Sequence, residues 1–290
     1  MILFSFPHNR QHAEPLAKQL NITHHPINIH RFPDDESLVT LPGQSDEHII
    51  LFCSLEHPNN KLIELLFCSQ TLRARGTKRL SLIAPYLCYM RQDTANQPGE
   101  AISQRIIGQL LAEQFDDVIT VDPHLHRIND LHQVIPLKHV LTLTAAPLIH
   151  DFLKEQLTDA ILLGPDQESL QWVQQIAQER FDFAIASKIR HGDQAVEITL
   201  PHNDFSTRPV VIIDDVVSTG FTLSQTVQQL RDTGASQINV MVTHPLFCDN
   251  AESRVLQSGV NAIWSTDSIS HSSNVISLTE LLSNAVCSIV

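Results

Sequence analysis

The stretch V-V-I-I-D-D-V-V-S-T-G-F-T-L, residues 210–223, restricts the possible folds more than any other part of this chain. Its four consecutive β-branched apolar residues read as a short strand covered on both faces, because an unbroken apolar run suits a buried parallel sheet. Two carboxylates, Asp214 and Asp215, follow at the carboxyl end. Ser218, Thr219, Gly220, Phe221 and Thr222 then turn the chain into a helical stretch from Leu223 onward. A helix start offers N–H groups without intrahelical partners and a partial positive charge, so the geometry cradles a phosphate. Gly220 lets the backbone approach the anion, and the hydroxyls of Ser218, Thr219 and Thr222 add donors. Acids beside an anion cradle suit a ligand that carries hydroxyls next to its phosphate, as a ribose phosphate does. The plainer alternative is a strand-turn-helix capped by Ser218 or Thr219.

Strand-like and helical stretches alternate along the rest of the chain. Apolar runs at 2–6, 48–53, 80–84 and 118–122 alternate with amphipathic stretches at 13–20, 62–75 and 102–114. The second half repeats that order, with runs at 160–164, 183–187, 210–213, 238–242 and 262–265 and helical stretches at 147–156, 170–180 and 224–234. Such alternation builds parallel sheets, and 290 residues suit two domains. The expectation is an α/β chain of two similar tandem domains, 1–143 and 144–290, joined near 141–145. Each has a mainly parallel sheet flanked by helices, with ligands at the carboxyl ends of strands.

The formal net charge of −13 argues against a nucleic-acid partner or an anionic membrane surface, both of which need basic patches. Phosphorylated ligands need only local cations and metal. No apolar run approaches the ~18 residues of a membrane span. The Met1-Ile-Leu-Phe start lacks a basic flank and reads as a first strand rather than a signal peptide. The cysteines, Cys53, Cys68, Cys88, Cys248 and Cys287, show no paired spacing and read as reduced core residues of a cytoplasmic protein.

Five further stretches fall at or beyond the ends of expected strands. Phe32-Pro33-Asp34-Asp35-Glu36 puts an aromatic and three acids in an exposed loop; taken alone it equally suits a solvated acidic turn. In 84–93, Arg91 can clamp a polyphosphate bidentately, and Gln92 and Asp93 follow it; an Arg–Asp surface pair is the alternative. Asp122, His124 and His126 stand where a strand ends, within reach of Mg²⁺ or a nucleotide, although magnesium prefers oxygen ligands. Asp166 follows the run at 160–164. Lys188 and Arg190, two residues apart, share one side of a strand end, where cations can stabilise a charge-rich transition state.

Taken in order, these stretches resemble the ribose-phosphate pyrophosphokinase (PRPP synthetase) family. F-P-D-D-E is similar to its F-x-D-x-E nucleotide loop, P-Y-L-C-Y-M-R-Q-D to its P-Y-x-x-Y-x-R-Q-D segment and D-P-H to its D-x-H metal site. G-P-D matches its x-P-D turn, K-I-R its K-x-R pair, I-I-D-D-V-V-S-T-G-F-T-L its ribose-phosphate loop, and T-H-P-L-F a T-H-x-x-F segment. The resemblance implies two tandem type I phosphoribosyltransferase-like domains. The implied reaction transfers the pyrophosphoryl group of MgATP to the C1 hydroxyl of ribose 5-phosphate, giving 5-phosphoribosyl 1-diphosphate (PRPP) and AMP. It also implies that Phe32, Asp34, Asp35, Glu36, Arg91, Gln92 and Asp93 contact ATP, that His124 and Asp166 hold Mg²⁺, and that Lys188 and Arg190 are catalytic. Arg190, Asp214, Asp215, Ser218, Thr219, Gly220, Phe221 and Thr222 would bind ribose 5-phosphate. The implied assembly is a homo-oligomer, dimer or hexamer, whose nucleotide site takes the acidic loop from a neighbouring subunit.

Some positions depart from that pattern. Phe221 stands where a glycine is usual and Ser218 where an aspartate is frequent. Gln167-Glu168-Ser169 replaces a glycine-bearing stretch, and the segment after Asp93 lacks the usual basic residues. Two other readings share part of the pattern. A type I phosphoribosyltransferase would own the 214–222 loop but needs neither R-Q-D nor D-P-H. A non-catalytic regulatory subunit has no need to keep Lys188, Arg190, His124 and Asp166.

Overall fold

The computed structural model describes residues 1–44, 46–95, 97–125, 127–128, 130–191 and 195–290, with the backbone alone for 188–191 and 195–197. The chain divides into two compact units, Met1–Leu143 with Leu278–Val290, and Thr144–Ser277.

The first unit runs β1 (Ile2–Ser5), α1 (Arg10–Gln19), β2 (Thr23–Pro26), β3 (Asn28–Arg31), β4 (Ser37–Thr40), β5 (His48–Phe52), α2 (Pro58–Ala74), β6 (Arg79–Ile83), α3 (Ser103–Gln114), β7 (Asp117–Val121) and β8 (His139–Leu143). The second runs α4 (Ala146–Gln156), β9 (Ile161–Gly164), α5 (Leu170–Ala177), β10 (Asp182–Ile185), β11 (Ser187–His191), β12 (Ala195–Thr199), β13 (Val210–Val217), α6 (Phe221–Asp232), β14 (Ile238–Pro245), α7 (Ala251–Gln257), β15 (Ala262–Thr266) and β16 (Asn274–Ile276). The last helix, α8 (Thr279–Ile289), belongs to the first unit.

Both units hold a six-stranded sheet in which every neighbouring pair is parallel. The orders are β2-β1-β5-β6-β7-β8 and β10-β9-β13-β14-β15-β16. Central strands explain the unbroken apolar runs: β7 is buried along its whole length, and β13 lies between β9 and β14. Each unit adds one antiparallel hairpin, β3-β4 in the first and β11-β12 in the second.

The expected second domain of 144–290 is corrected at its end. Leu282, Ala285, Val286 and Ile289 form a buried stripe at helical spacing on α8, which packs against α1 and β8. Arg79 seals the joint. It donates to the Ile289 carbonyl at 2.7 Å and to both oxygens of the buried Asp117 carboxylate at 2.8 and 2.9 Å. A cation on a terminal helix carbonyl also complements the helix dipole. The first boundary between the units, Leu143 to Thr144, falls within the joint expected at 141–145, where edge strand β8 ends and the chain runs into α4.

Of the cysteines, Cys53, Cys68 and Cys88 are buried, Cys248 is half-buried and Cys287 is exposed, so the core expectation is corrected for the last two. Burial pushes the Cys68 and Cys88 thiols up to about 12 and Cys53 well above its ordinary value, which keeps all three protonated and unreactive.

Several histidines give the fold a pH dependence. Burial holds His24, His48 and His271 below their ordinary value, with Arg79 adding its charge against His48 and Glu252 opposing the shift at His271. The unfolded chain therefore takes up protons on these groups below about pH 6.5 while the folded chain resists. Their contribution is complete above that pH and falls as the solution is acidified through it. The melting temperature should drop by a few degrees between pH 7.5 and 5.5, and His48→Gln should flatten that slope. Burial alone would raise the Asp117 carboxyl, but hydrogen bonds from Arg79 and Ser81 and the Arg79 charge outweigh it and hold it low. Its contribution is therefore lost only at much lower pH. A thermal melt that is flat from pH 7.5 to 5.5 would contradict the histidine assignment.

Candidate active site

In the second unit, strand order reverses between β9 and β13, the place where open parallel sheets form a ligand crevice. β9 pairs with β13 only over Val210–Ile212, whereas β14 keeps pairing as far as Val217↔Pro245. β13 thus outruns one neighbour. Asp214 and Asp215 are corrected from positions past the strand to positions inside it. Asp214 is half-buried and accepts from the Asp215 N–H at 3.0 Å, while Asp215 is only 3% exposed. Successive strand residues alternate between faces, so the more open Asp214 is the acid suited to a ligand.

Gly220 follows at φ 70°, capping α6, which begins at Phe221, two residues earlier than its apolar pattern suggests. The N–H groups of Phe221, Thr222 and Leu223 have no acceptor within the helix, whose first turn carries no acid to compete for them. A Cβ at Gly220 would sit 2.9 Å from Val255 Cγ2 and 3.1 Å from the Ala251 carbonyl. Glycine is needed there for conformation and for packing against α7. Ser218 donates to Cys248 Sγ at 3.6 Å, Thr219 is exposed, and Thr222 is half-buried.

Asp166 stands just beyond β9 on the same side of the reversal. Its carboxylate accepts from the Glu168 N–H at 3.1 Å and caps a short turn. Gly164 permits that turn, because a Cβ there would lie 2.3 Å from Ser169 Oγ. Lys188 and Arg190 are corrected from the end of β10 to β11, where their backbones pair with Ile198 and Val196 of β12. Their side chains lie outside the described residues. The hairpin is tied to α6 by Gln229, which donates to the Ile198 carbonyl at 2.5 Å.

In the first unit the reversal falls between β1 and β5, and the chain's own side chains fill it. Lys61 donates to the Ser54 carbonyl at 2.7 Å and pairs with Glu56 at 2.5 Å, while the Ser54 N–H donates to Asn9 at 3.1 Å. The expected nucleotide residues lie elsewhere. Phe32–Glu36 is the exposed connection between β3 and β4, with Asp35 at φ 68°. Buried Glu64 of α2 closes that hairpin, accepting from Arg31 at 3.0 Å and from Ser37 at 2.7 Å. Asp34, Asp35, Glu36 and Ser37 line a cleft of about 420 Å³ with Asn60, Ile63 and Phe67 of α2.

Beyond β6, Tyr86 N–H donates to Ser54 Oγ at 3.2 Å, and Tyr89, at φ 60°, donates from its hydroxyl to Asn59. Gln104 of α3 then takes the chain, with its side-chain amide on the Met90 carbonyl and its N–H on the Gln92 carbonyl, both at 3.2 Å. This leaves Arg91 exposed and Gln92 half-buried. Asp93 forms an ion pair with Arg127 instead of the surface pair with Arg91. Past β7, Asp122 is buried at φ 37° with its N–H on the Leu143 carbonyl at 2.9 Å, and His124 is half-buried. His126 lies outside the described residues. Among the described residues no three His, Cys, Asp or Glu side chains converge as a metal cluster.

Comparison with known proteins assigns both units. Residues 1–114 match the model of the N-terminal domain of ribose phosphate pyrophosphokinase, and residues 143–277 match the phosphoribosyl transferase domain. The ribose-phosphate pyrophosphokinase of Methanopyrus kandleri is 30% identical over 276 residues, 93% of each chain. The chain belongs to the ribose-phosphate pyrophosphokinase family. The Thermococcus kodakarensis ribose-phosphate pyrophosphokinase is 31% identical over 230 residues, 79% of this chain and 81% of that one. The fold matches phosphoribosylpyrophosphate synthetase from Mycobacterium smegmatis, with a TM-score of 0.85 at 22% identity over 99% of this chain and 98% of that one.

Pyrophosphokinase relatives that span the chain make it an enzyme, and they favour neither the lone phosphoribosyltransferase nor the regulatory subunit. No helix among the described residues is long and apolar enough to cross a membrane.

Glu64, Arg127 and Arg254 complete the setting of the pyrophosphokinase motifs. Each joins segments tens of residues apart, so no local spacing announces them.

Proposed function

We propose that this chain transfers the pyrophosphoryl group of MgATP to the C1 hydroxyl of ribose 5-phosphate, giving PRPP and AMP. The observation that carries the reading is β13 outrunning β9. It sets the half-buried Asp214 beside an anion-ready α6 N-terminus in a chain related to pyrophosphokinases along its length. In the transfer, the C1 oxygen bonds to the β-phosphorus and loses its proton. The bond from that phosphorus to the bridging oxygen breaks, and AMP leaves with the oxygen. Such chemistry needs in-line positioning and charge neutralisation more than covalent help.

Phe32, Asp34, Asp35, Glu36, Arg91 and Gln92 serve ATP, and Asp93 holds Arg127 beside them. Asp214 accepts from the ribose hydroxyls, Ser218–Thr222 bind the 5-phosphate, and Lys188 and Arg190 stabilise the charge that develops in transfer. Mg²⁺ fits the donors present. It keeps several waters and takes most other ligands from substrate phosphates, so no dedicated cage is needed; Asp166 of the second unit and His124 of the first are the residues that would each offer it a donor. When bound, the ion supplies charge neutralisation to the polyphosphate. The buried, protonated thiols suit a reducing compartment, the cytoplasm.

Incubating the purified protein with MgATP and ribose 5-phosphate, and in parallel with other pentose phosphates, should yield AMP and a pyrophosphorylated sugar. AMP without a sugar diphosphate overturns the reading.

The acidic hairpin serves the nucleotide site of a neighbouring subunit in a closed homo-oligomer, a dimer or hexamer. A Lys188→Ala variant mixed with an Asp34→Ala, Glu36→Ala variant under subunit exchange should therefore regain activity, since some mixed assemblies carry one intact site. If exchange is demonstrated and no activity returns, the loop acts within its own chain.

A further inference from the structure

Three consecutive carbonyls of the phosphate loop are taken up by one neighbouring segment. Val217 O accepts from the Phe247 N–H at 3.0 Å, Ser218 O from the Cys248 N–H at 2.9 Å, and Thr219 O from the guanidinium of Arg254. A trans peptide holds its C=O and the following N–H on opposite edges of one plane. Each captured carbonyl therefore turns the next N–H, of Ser218, Thr219 and Gly220 in turn, away from the 247–254 segment. Backbone groups fix the first two planes. Only a side chain fixes the third, and it lies next to the one loop residue without a Cβ, whose plane is the freest to rotate.

One of the residues that depart from the family pattern packs against that side chain. Phe221 stands where a glycine is usual. Phe221 is 54% exposed, and the Arg254 guanidinium carbon lies over its ring, 3.9 Å from the centroid. A guanidinium flat on an aromatic face is attracted by the ring and still presents its N–H edge to an acceptor in plane. Ala251 and Val255, on the same helix as Arg254, press on Gly220.

We propose that Arg254 is a positioning residue for the sugar-phosphate loop. It holds the Thr219 carbonyl outward so that the Gly220 N–H faces the phosphate, and Phe221 clamps its guanidinium. This rests on the reading of 214–222 as the ribose 5-phosphate site. The cation also polarises the peptide it binds and makes that N–H a stronger donor.

The test compares Arg254→Ala, Arg254→Lys, Phe221→Ala and the Arg254→Ala, Phe221→Ala double variant. Readouts are ribose 5-phosphate affinity by calorimetry, KM for each substrate, kcat, and circular dichroism with thermal melts. Arg254→Ala should weaken ribose 5-phosphate about tenfold, the loss of one charge-assisted bond, with KM for ATP changed less than about twofold. Arg254→Lys should recover part of the loss, because an ammonium reaches the carbonyl without the flat stack. Phe221→Ala should weaken the sugar by about threefold, and the double variant should be no worse than Arg254→Ala, since both substitutions act on one bond.

A folded Arg254→Ala protein that binds ribose 5-phosphate like the wild type overturns the proposal. So does an equal loss for ATP, or additive losses in the double variant. If Arg254→Ala does not fold, the lysine and Phe221 variants decide the question by the same substrate split. If the wild type binds the sugar but releases no AMP, the proposed reaction fails while the affinities still decide Arg254. If it does not bind the sugar, both fall together.

Discussion

Lys188→Ala should lower turnover by ~10²-fold or more while leaving the fold intact, the scale of losing one preorganised group that acts on transition-state charge. Positions 188 and 190 share one face of β11 by register, and the hairpin is fastened to α6, the helix that follows the 218–220 turn. In the proposed reaction a cation at position 188 would neutralise charge that spreads over the transferring group, a gain realised mainly in the transition state. The loss should therefore fall on kcat, with KM for ribose 5-phosphate little changed. Because β11 belongs to a two-stranded hairpin outside the main sheet, truncating one side chain there should leave the melting temperature near wild type. Steady-state AMP formation together with circular dichroism checks this. A folded variant with near wild-type turnover would remove Lys188 from the chemistry.

The parts of the fold readable from the sequence are those where burial on both faces forces an unbroken apolar run, as in Ile49–Phe52 and Val210–Ile213. Edge strands lack that signature. β2 reads Thr-His-His-Pro and buries none of its residues fully, and β8 reads His-Val-Leu-Thr-Leu and buries only Val140 fully. The return of α8 is unreadable for another reason. Nothing in an amphipathic stripe says which sheet it covers, and Arg79, some two hundred residues earlier, makes the contact that decides it. β13 overruns its apolar residues because β14 continues beside it, so Asp214 and Asp215 extend the strand instead of leaving it.

The site divides along the same line. Ser218 to Thr222 could be read as an anion cradle because a strand, a glycine and a helix start are contiguous in sequence. Glu64 under the acidic hairpin, Gln104 under Arg91 and Arg254 under Thr219 could not, since each supports a motif from a different segment. Sequence spacing identifies groups that meet a ligand in a row. It does not identify the groups that hold the row in position.

Gly220→Val should cost the enzyme most of its affinity for ribose 5-phosphate, well beyond tenfold, while ATP binding changes little. Two independent obstacles act at that residue. A β-branched side chain at φ 70° is strained by roughly 1–3 kcal/mol. The added Cβ would also meet Val255 Cγ2 at 2.9 Å and the Ala251 carbonyl at 3.1 Å, the first fully buried and the second backbone, so neither yields cheaply. Either relief, a flipped Gly220 plane or a displaced α7, moves the N–H groups at the start of α6, those proposed to bind the 5-phosphate. Gly220→Ala keeps the strain and the first carbon of the clash but not the branch, so it should fall between wild type and valine. Asp214→Asn should weaken the same substrate by a different route, exchanging a charged acceptor of ribose hydroxyls for a neutral one without disturbing the turn. KM values for both substrates, with circular dichroism to confirm folding, separate these effects. Equal weakening of ATP and sugar in folded Gly220→Ala and Asp214→Asn proteins would show that the loop does not belong to the pentose.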